Sequence, residues 1–143
     1  VCLMHMQGEP RTMQHNPRYI DVVEDLFSFL QQRIEACERA GISRERIVID
    51  PGFGFGKTLR HNLELLNRLE RFTDLQVPVL VGISRKSMIG QVTTREVDER
   101  LPGSLAAATL ASWLGASIIR VHDVKETVDA VAIVTATRDY KSY

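Results

Sequence analysis

The sequence predicts an α/β protein built on a parallel sheet with helical crossovers. Two observations carry that expectation. Short, nearly continuous apolar runs rich in β-branched residues recur near Val1, Arg46, Val77 and Ala116, as suits strands buried on both faces. Longer amphipathic segments separate them, so strand and helix patterns alternate four times. Repeated βα units imply either an open doubly wound sheet or a closed (β/α) barrel. An eight-unit barrel takes about 250 residues, so four units in 143 residues look like half of one.

Val1-Cys2-Leu3-Met4 reads as the first strand. Val23, Leu26, Phe27, Leu30, Ile34 and Cys37 then keep a helical period and stop at Gly41, a helix-ending residue. Ile47-Val48-Ile49 is the second strand, followed by a stripe of Leu59, Leu63, Leu66, Leu69 and Phe72. The third strand falls within residues 77–83, and its stripe is Leu105, Leu110, Trp113 and Leu114, ending at Gly115. Ile118-Ile119-Arg120-Val121 is the fourth strand. The last helix opens with Asp123 and Glu126 in capping-box-like spacing and presents Val124, Val128 and Val131. No linker or low-complexity stretch interrupts the pattern, so residues 1–143 are expected to form a single unit.

Composition narrows the function. Eighteen basic residues balance eighteen acidic ones, a net charge of zero, which supplies no general attraction for nucleic acid or an anionic membrane. No apolar run approaches the roughly 18 residues of a membrane span. Cys2 and Cys37 sit singly in apolar patterns, make no CxxC, and are expected to be buried free thiols in a reducing cytoplasm. His5, His15, His61 and His122 are too scattered for a zinc site. The opening Val1-Cys2-Leu3-Met4-His5-Met6 lacks the basic n-region of a signal peptide and reads as a strand entered midway. We therefore expect the chain to be a fragment.

In either architecture chemistry gathers at the carboxyl ends of the strands. The polar and glycine-rich clusters lie there, at residues 5–8, 50–57, 84–87 and 120–123. In Asp50-Pro51-Gly52-Phe53-Gly54-Phe55-Gly56-Lys57-Thr58 the carboxylate suits a planar pair of N–H donors on a heterocycle. The alternate glycines let backbone approach a ligand closely, and Phe53 and Phe55 suit an aromatic wall. A strained turn with an aspartate capping a backbone N–H is the plainer alternative. Gly56-Lys57-Thr58 looks like the end of a phosphate-binding loop, but the glycine that motif needs five residues earlier is Pro51. The turn Ser84-Arg85-Lys86-Ser87 suits an anion bound by free N–H groups and a helix dipole. There Lys86 can reach a carbonyl or ring nitrogen, while Arg85 can point either way. Arg120 and His122 share a face of their strand and suit a pyrophosphate-sized anion; a buried arginine paired with a carboxylate is the alternative. Asp123 is expected to be an N-cap. Met4 and Met6 lie on one face, where a methionine can pack against a flat ring.

Four stretches carry a family resemblance: Leu3-Met4-His5-Met6-Gln7-Gly8, Asp50-Pro51-Gly52-Phe53-Gly54-Phe55-Gly56-Lys57, Gly82-Ile83-Ser84-Arg85-Lys86-Ser87 and Ile119-Arg120-Val121-His122-Asp123. Through them the chain resembles the carboxyl-terminal half of the dihydropteroate synthase family, folate-pathway transferases inhibited by sulfonamides. The resemblance covers nearly the whole chain, the Asp50 and Ser84 stretches being the specific ones. It implies a TIM (β/α)8 barrel, of which this chain covers about the last four βα units. It also implies condensation of a dihydropterin methyl pyrophosphate with p-aminobenzoate, giving dihydropteroate and pyrophosphate.

By the same resemblance Met4, Asp50, Gly82, Lys86 and Arg120 would bind the pterin, and Phe55 and Ser84 would flank p-aminobenzoate or a sulfonamide. Arg120 and His122 would hold the pyrophosphate, with Lys86, Arg120 and His122 as the catalytic set. The implied cofactor is Mg²⁺, its main protein ligand an asparagine in the amino-terminal half, so that no metal ligand is expected in this chain. Small-molecule substrates, no nucleic-acid or membrane partner, a full-length homodimer and a cytoplasmic location complete the expectation. The family's first four units would supply the asparagine, two further pterin contacts and the mobile loops, so the fragment alone is expected to be inactive. Pterin-dependent methyltransferases share the barrel and an Asp-Pro-type contact and form the runner-up, with a non-catalytic pterin-binding half-barrel beside them. Ser84-Arg85-Lys86-Ser87 favours the synthase.

Overall fold

A computed structural model describes residues 1–142. Its elements run β1 (Cys2–Met4), α1 (Val22–Arg39), β2 (Val48–Asp50), α2 (Leu59–Asn67), β3 (Leu80–Val81), α3 (Ser87–Thr93), α4 (Leu101–Trp113), β4 (Ile118–Ile119) and α5 (Val124–Arg138). Short 3₁₀ turns lie at Arg44–Arg46, Leu69–Leu75, Val97–Glu99 and Tyr140–Ser142. The predicted strand–helix alternation is present, with shorter strands than the apolar runs suggested and an extra helix, α3, between β3 and α4.

Among the described residues all strand pairing is parallel. Leu3 faces Ile49 and Met4 faces Asp50, while Leu80 faces Ile118 and Val81 faces Ile119. A bridge between Ile49 and Val79 joins the two pairs, with the Ile49 N–H donating to the Pro78 carbonyl at 3.0 Å. The spatial order is therefore β1-β2-β3-β4, the order of the chain. A doubly wound sheet reverses direction at a switch point; among the described strands there is no reversal. Helix α1 touches α2, α2 touches α4, and α4 touches α5, forming one layer against the sheet.

The main core lies between that layer and the sheet. Ile47, Ile49, Val79 and Val81 are at most 1% exposed and face Val23, Leu26, Leu30 and Ile34 of α1 in one cluster. Each such aliphatic side chain contributes about 1.5–3 kcal/mol by leaving water. Helix α1 starts where the Asp21 carboxylate accepts from the Val23 and Glu24 N–H groups at 2.9 and 3.0 Å. It ends as expected at Gly41, whose φ of +87° lets the Ile42 N–H return to the Cys37 carbonyl. Alternation puts Cys2, Met4, Val48, Leu80 and Ile118 on the opposite face of the sheet. That face is more open, with Met4 39% and Ile118 41% exposed.

Several expectations require correction. Leu63 is 42% exposed and Leu65 takes its place in the core, because α2 is rotated to bury Leu65 and Leu66. Helix α4 buries its small residues, Ser104, Ala107, Ala108, Ala111 and Ser112, and turns Leu110 and Trp113 outward. Small side chains there let α4 lie close against the core, which Ala107 and Ala111 join. Val124 and Val128 of α5 are exposed too, but they line an open groove beside β4 with Ile119 and Val121, while Thr127 and Val134 are buried. Both cysteines are free, but Cys2 is exposed on the open face and Cys37 only half-buried. Asp123 stands at the α5 N-cap without bonding a helix N–H through its side chain, because Arg85 engages its carboxylate.

Candidate functional site at the strand ends

At the end of β2, Asp50 is 5% exposed, and its Oδ1 accepts from the Gly52 N–H at 2.7 Å. Burial pushes the carboxyl pKa up, opposed by the Gly52 N–H and by the charges of Lys86, Arg120 and Lys57. The loop that follows has φ of +71° at Gly52 and +65° at Gly56. A Cβ on Gly52 would lie 1.9 Å from the His5 carbonyl oxygen, and one on Gly56 2.6 Å from that of Gln7. Glycine is required because this loop lies directly against the end of β1. Phe53, expected in an aromatic wall, is instead buried in the core at 1% exposure, and Phe55 is the half-buried ring of this loop. The Lys86 ammonium lies 4.6 Å from the Phe55 ring centroid.

At the end of β3, Lys86 donates to the Phe53 carbonyl. Burial pulls its ammonium down to about 8, with Asp50 opposing and Arg120 assisting. Arg85 has φ of +58°, and its backbone N–H donates to Ser104 Oγ at 3.0 Å. Its guanidinium turns to the Asp123 carboxylate, which settles the direction the sequence left open. The Lys86 N–H donates to the Ile83 carbonyl. The N–H groups of Arg85 and Lys86 are thus engaged within the protein, unlike the free donors expected of this turn.

At the end of β4, Arg120 lies over Gly82, where an added Cβ would be 3.0 Å from Nη2. A side chain on Gly82 would displace the guanidinium. His122 Nδ1 is 3.0 Å from Ser84 Oγ, which also accepts the His122 backbone N–H at 3.3 Å. Gly82, Ser84, Lys86, Arg120 and His122 line one cleft of about 500 Å³. Met4 stands opposite Asp50 in the parallel register, on the open face. Three strand ends thus bring a buried carboxylate, two cations and a serine–histidine pair together, and β1 adds a methionine. The set suits a flat heterocycle with N–H donors on the carboxylate side and an anion on the Arg120 side.

The sequence reading missed what supports this site from beneath. Lys57 Nζ is 3.1 Å from His5 Nδ1, 2.9 Å from the Gly52 carbonyl and 3.0 Å from that of Phe55. Tyr19 Oη donates to the Gly56 carbonyl at 2.7 Å. Burial pulls the Lys57 ammonium down to about 7, opposed by Asp50. Burial and the Lys57 charge pull the His5 ring down to about 4. An unfolded histidine binds its proton near pH 6.5, so between pH 6.5 and about 4 the unfolded state carries more protons and stability falls as pH falls. The full loss is about 3 kcal/mol. Urea unfolding across that window should show this slope, and His5→Asn should flatten it.

A family model for pterin binding enzymes matches residues 1–122. The chain belongs to the family of pterin-binding enzymes. Dihydropteroate synthases are among the relatives it matches. It is 55% identical over 141 residues to the Escherichia coli (strain K12) dihydropteroate synthase, covering 99% of this chain and 50% of that protein. It is 53% identical over 137 residues to that of Haemophilus influenzae, again covering 50% of the relative. The structure superposes on Yersinia pestis dihydropteroate synthase in a sulfonamide drug complex with a TM-score of 0.95 at 52% identity, over 97% of this chain and 51% of that one. The Xanthomonas albilineans dihydropteroate synthase in complex with 7,8-dihydropteroate gives a TM-score of 0.88 at 47% identity, over 96% and 50%. The chain spans about half the length of the relatives it matches.

Proposed function

We propose that this chain is part of a dihydropteroate synthase, contributing four consecutive βα units, the last four, to a (β/α)8 barrel. The observation that carries the reading is the convergence of Asp50, Lys86 and Arg120 at adjacent strand ends in a member of the pterin-binding family. Strand order without a reversal supports the barrel, whose sites lie at the carboxyl ends of its strands. Asp50 accepts from the pterin's amino and ring N–H edge, Lys86 donates to its carbonyl and ring nitrogen, and Met4 and Gly82 bound its slot. Phe55 and Ser84 flank the arylamine. The methylene C–O bond breaks with its electron pair leaving on pyrophosphate. The nitrogen of p-aminobenzoate then bonds to that carbon and releases a proton. Arg120 and His122 stabilise the charge that develops on the leaving group.

The residues present do not fit a metal cage. Among the described residues no three His, Cys, Asp or Glu side chains are grouped to hold a metal ion, and Asp50 is surrounded by cations. Mg²⁺ assistance is part of the proposal only through the family resemblance, which gives its main protein ligand as an asparagine of the family's amino-terminal half. Two free cysteines support a cytoplasmic setting. Outward Leu110, Trp113 and Ile133 support a homodimer through α4 and α5. No helix among the described residues is long and apolar enough to cross a membrane.

Arg120 tests the division of labour. In a full-length protein carrying this chain, Arg120→Ala should weaken binding of the pterin pyrophosphate about tenfold or more, the loss of a charged hydrogen bond. Free pterin should lose much less. Calorimetry with both ligands decides, and equal losses would mean that Arg120 is structural.

A further inference from the structure

The Gly56-Lys57-Thr58 triplet plays no part in the site as proposed, yet its lysine is among the most buried polar residues of the chain. Lys57 is 3% exposed and His5 8%, so neither is placed to touch a ligand. A lysine ammonium has three N–H donors and no acceptor. Here it meets three acceptors: the Gly52 carbonyl at 2.9 Å, the Phe55 carbonyl at 3.0 Å and His5 Nδ1 at 3.1 Å. Its donors are therefore committed inward, not to phosphate. With Lys57 protonated all three of its N–H groups donate, so that Nδ1 of His5 then accepts and the ring proton sits on Nε2. The His5 ring is fixed in turn by the Phe29 ring edge-on at 5.0 Å and by Tyr19 at 6.0 Å.

Two carbonyls from the loop after β2 and one ring from the end of β1 thus share a single buried cation. Gly52 is the link to the site: its carbonyl accepts from Lys57 while its N–H holds Asp50 Oδ1 at 2.7 Å. Phe55 is the second link, since its carbonyl accepts from Lys57 and its ring lies against the Lys86 ammonium. A buried cation is expensive in desolvation, and filling this volume alone would not call for one. What an apolar side chain cannot do is hold two inward-facing carbonyls of a glycine-rich turn in place.

We propose that Lys57 and His5 are a positioning pair: the buried ammonium fixes the 52–56 loop, and through Gly52 and Phe55 it orients Asp50 and the aromatic wall. The inference rests on the reading of Asp50 and Phe55 as ligand-facing groups. It goes beyond that reading by assigning the orientation of those groups to two residues that never meet the ligand.

The test uses a full-length protein carrying this chain, with free pterin as the calorimetric probe. His5→Asn keeps an acceptor where Nδ1 was, and His5→Leu has nearly the same shape without it. His5→Asn should bind pterin within about threefold of the parent, and His5→Leu and Lys57→Met at least tenfold more weakly. In protein labelled with ¹⁵N-glycine, the Gly52 and Gly54 amide signals should move in His5→Leu and stay in place in His5→Asn. A role in stability alone would lower the unfolding midpoint without separating the two His5 variants in affinity of the folded protein. If Lys57→Met does not fold, the His5 pair decides. Equal pterin affinity in folded His5→Asn and His5→Leu would overturn the proposal. Asp50→Ala run alongside separates the two readings: if it also binds pterin normally, the ligand site is misassigned; if it loses pterin while His5→Leu does not, only the positioning pair fails.

Discussion

Asp50→Ala should weaken pterin binding at least tenfold in a full-length protein carrying this chain. The carboxylate is nearly buried, and one of its oxygens is already held by the Gly52 N–H. A pterin that presents an amino group and a ring N–H would find in alanine no acceptor and no water to replace it. One charged hydrogen bond lost in this way costs about 1.5–3 kcal/mol, or roughly 10- to 150-fold in affinity. Folding should suffer far less. Burial already pushes the Asp50 pKa up, so its charge is held at a cost that alanine removes, while only one N–H, that of Gly52, loses its partner. The expected signature is thus a large fall in affinity by calorimetry with a small shift in the thermal midpoint. Unchanged affinity would remove Asp50 from the pterin site. A collapse of the midpoint would instead make it a structural cap.

What could be read from the sequence was what neighbouring residues encode. The α1 stripe from Val23 to Ile34 and its stop at Gly41 depend on local spacing, and both are found as expected. The position of the polar clusters at strand ends followed from alternating strands and helices, and Asp50, Ser84, Lys86 and Arg120 do stand at or just beyond the ends of β2, β3 and β4. What could not be read was which distant group each polar side chain would meet. Arg85 finds Asp123 at 38 residues' separation, and Lys57 finds His5 at 52. No periodicity encodes such pairs, because they depend on parallel strands bringing loop ends together. Helices α4 and α5 failed for a different reason. Each is apolar on more than one side, so spacing alone could not say that the small face of α4 packs inward and Leu110 and Trp113 do not.

Expressed on their own, these 143 residues should self-associate and give no dihydropteroate. Among the described strands, β1 and β4 are each paired along one edge only, and an unpaired parallel edge is a template for another chain. The sheet face opposite the helices adds apolar surface, with Met4 39% and Ile118 41% exposed. Beside β4, Ile119 and Val121 continue into Val124, Val128 and Val131 of α5 as an open apolar groove. Soluble monomers rarely present so much contiguous apolar surface, so association should rise steeply with concentration in sedimentation experiments. Turnover should fail for a separate reason. Asp50, Lys86 and Arg120 line one side of the proposed site, and the four strands leave the other side without a wall. Without that wall water has free access, and the electrostatic help that Arg120 and His122 give a leaving pyrophosphate weakens with the higher dielectric. The assay supplies pterin pyrophosphate, p-aminobenzoate and Mg²⁺ to the chain alone, then repeats with a polypeptide spanning the other half of the relatives' length. Activity restored only by the second polypeptide is the expected result. A monomeric chain that turns over unaided would mean that these four strand ends form a complete site.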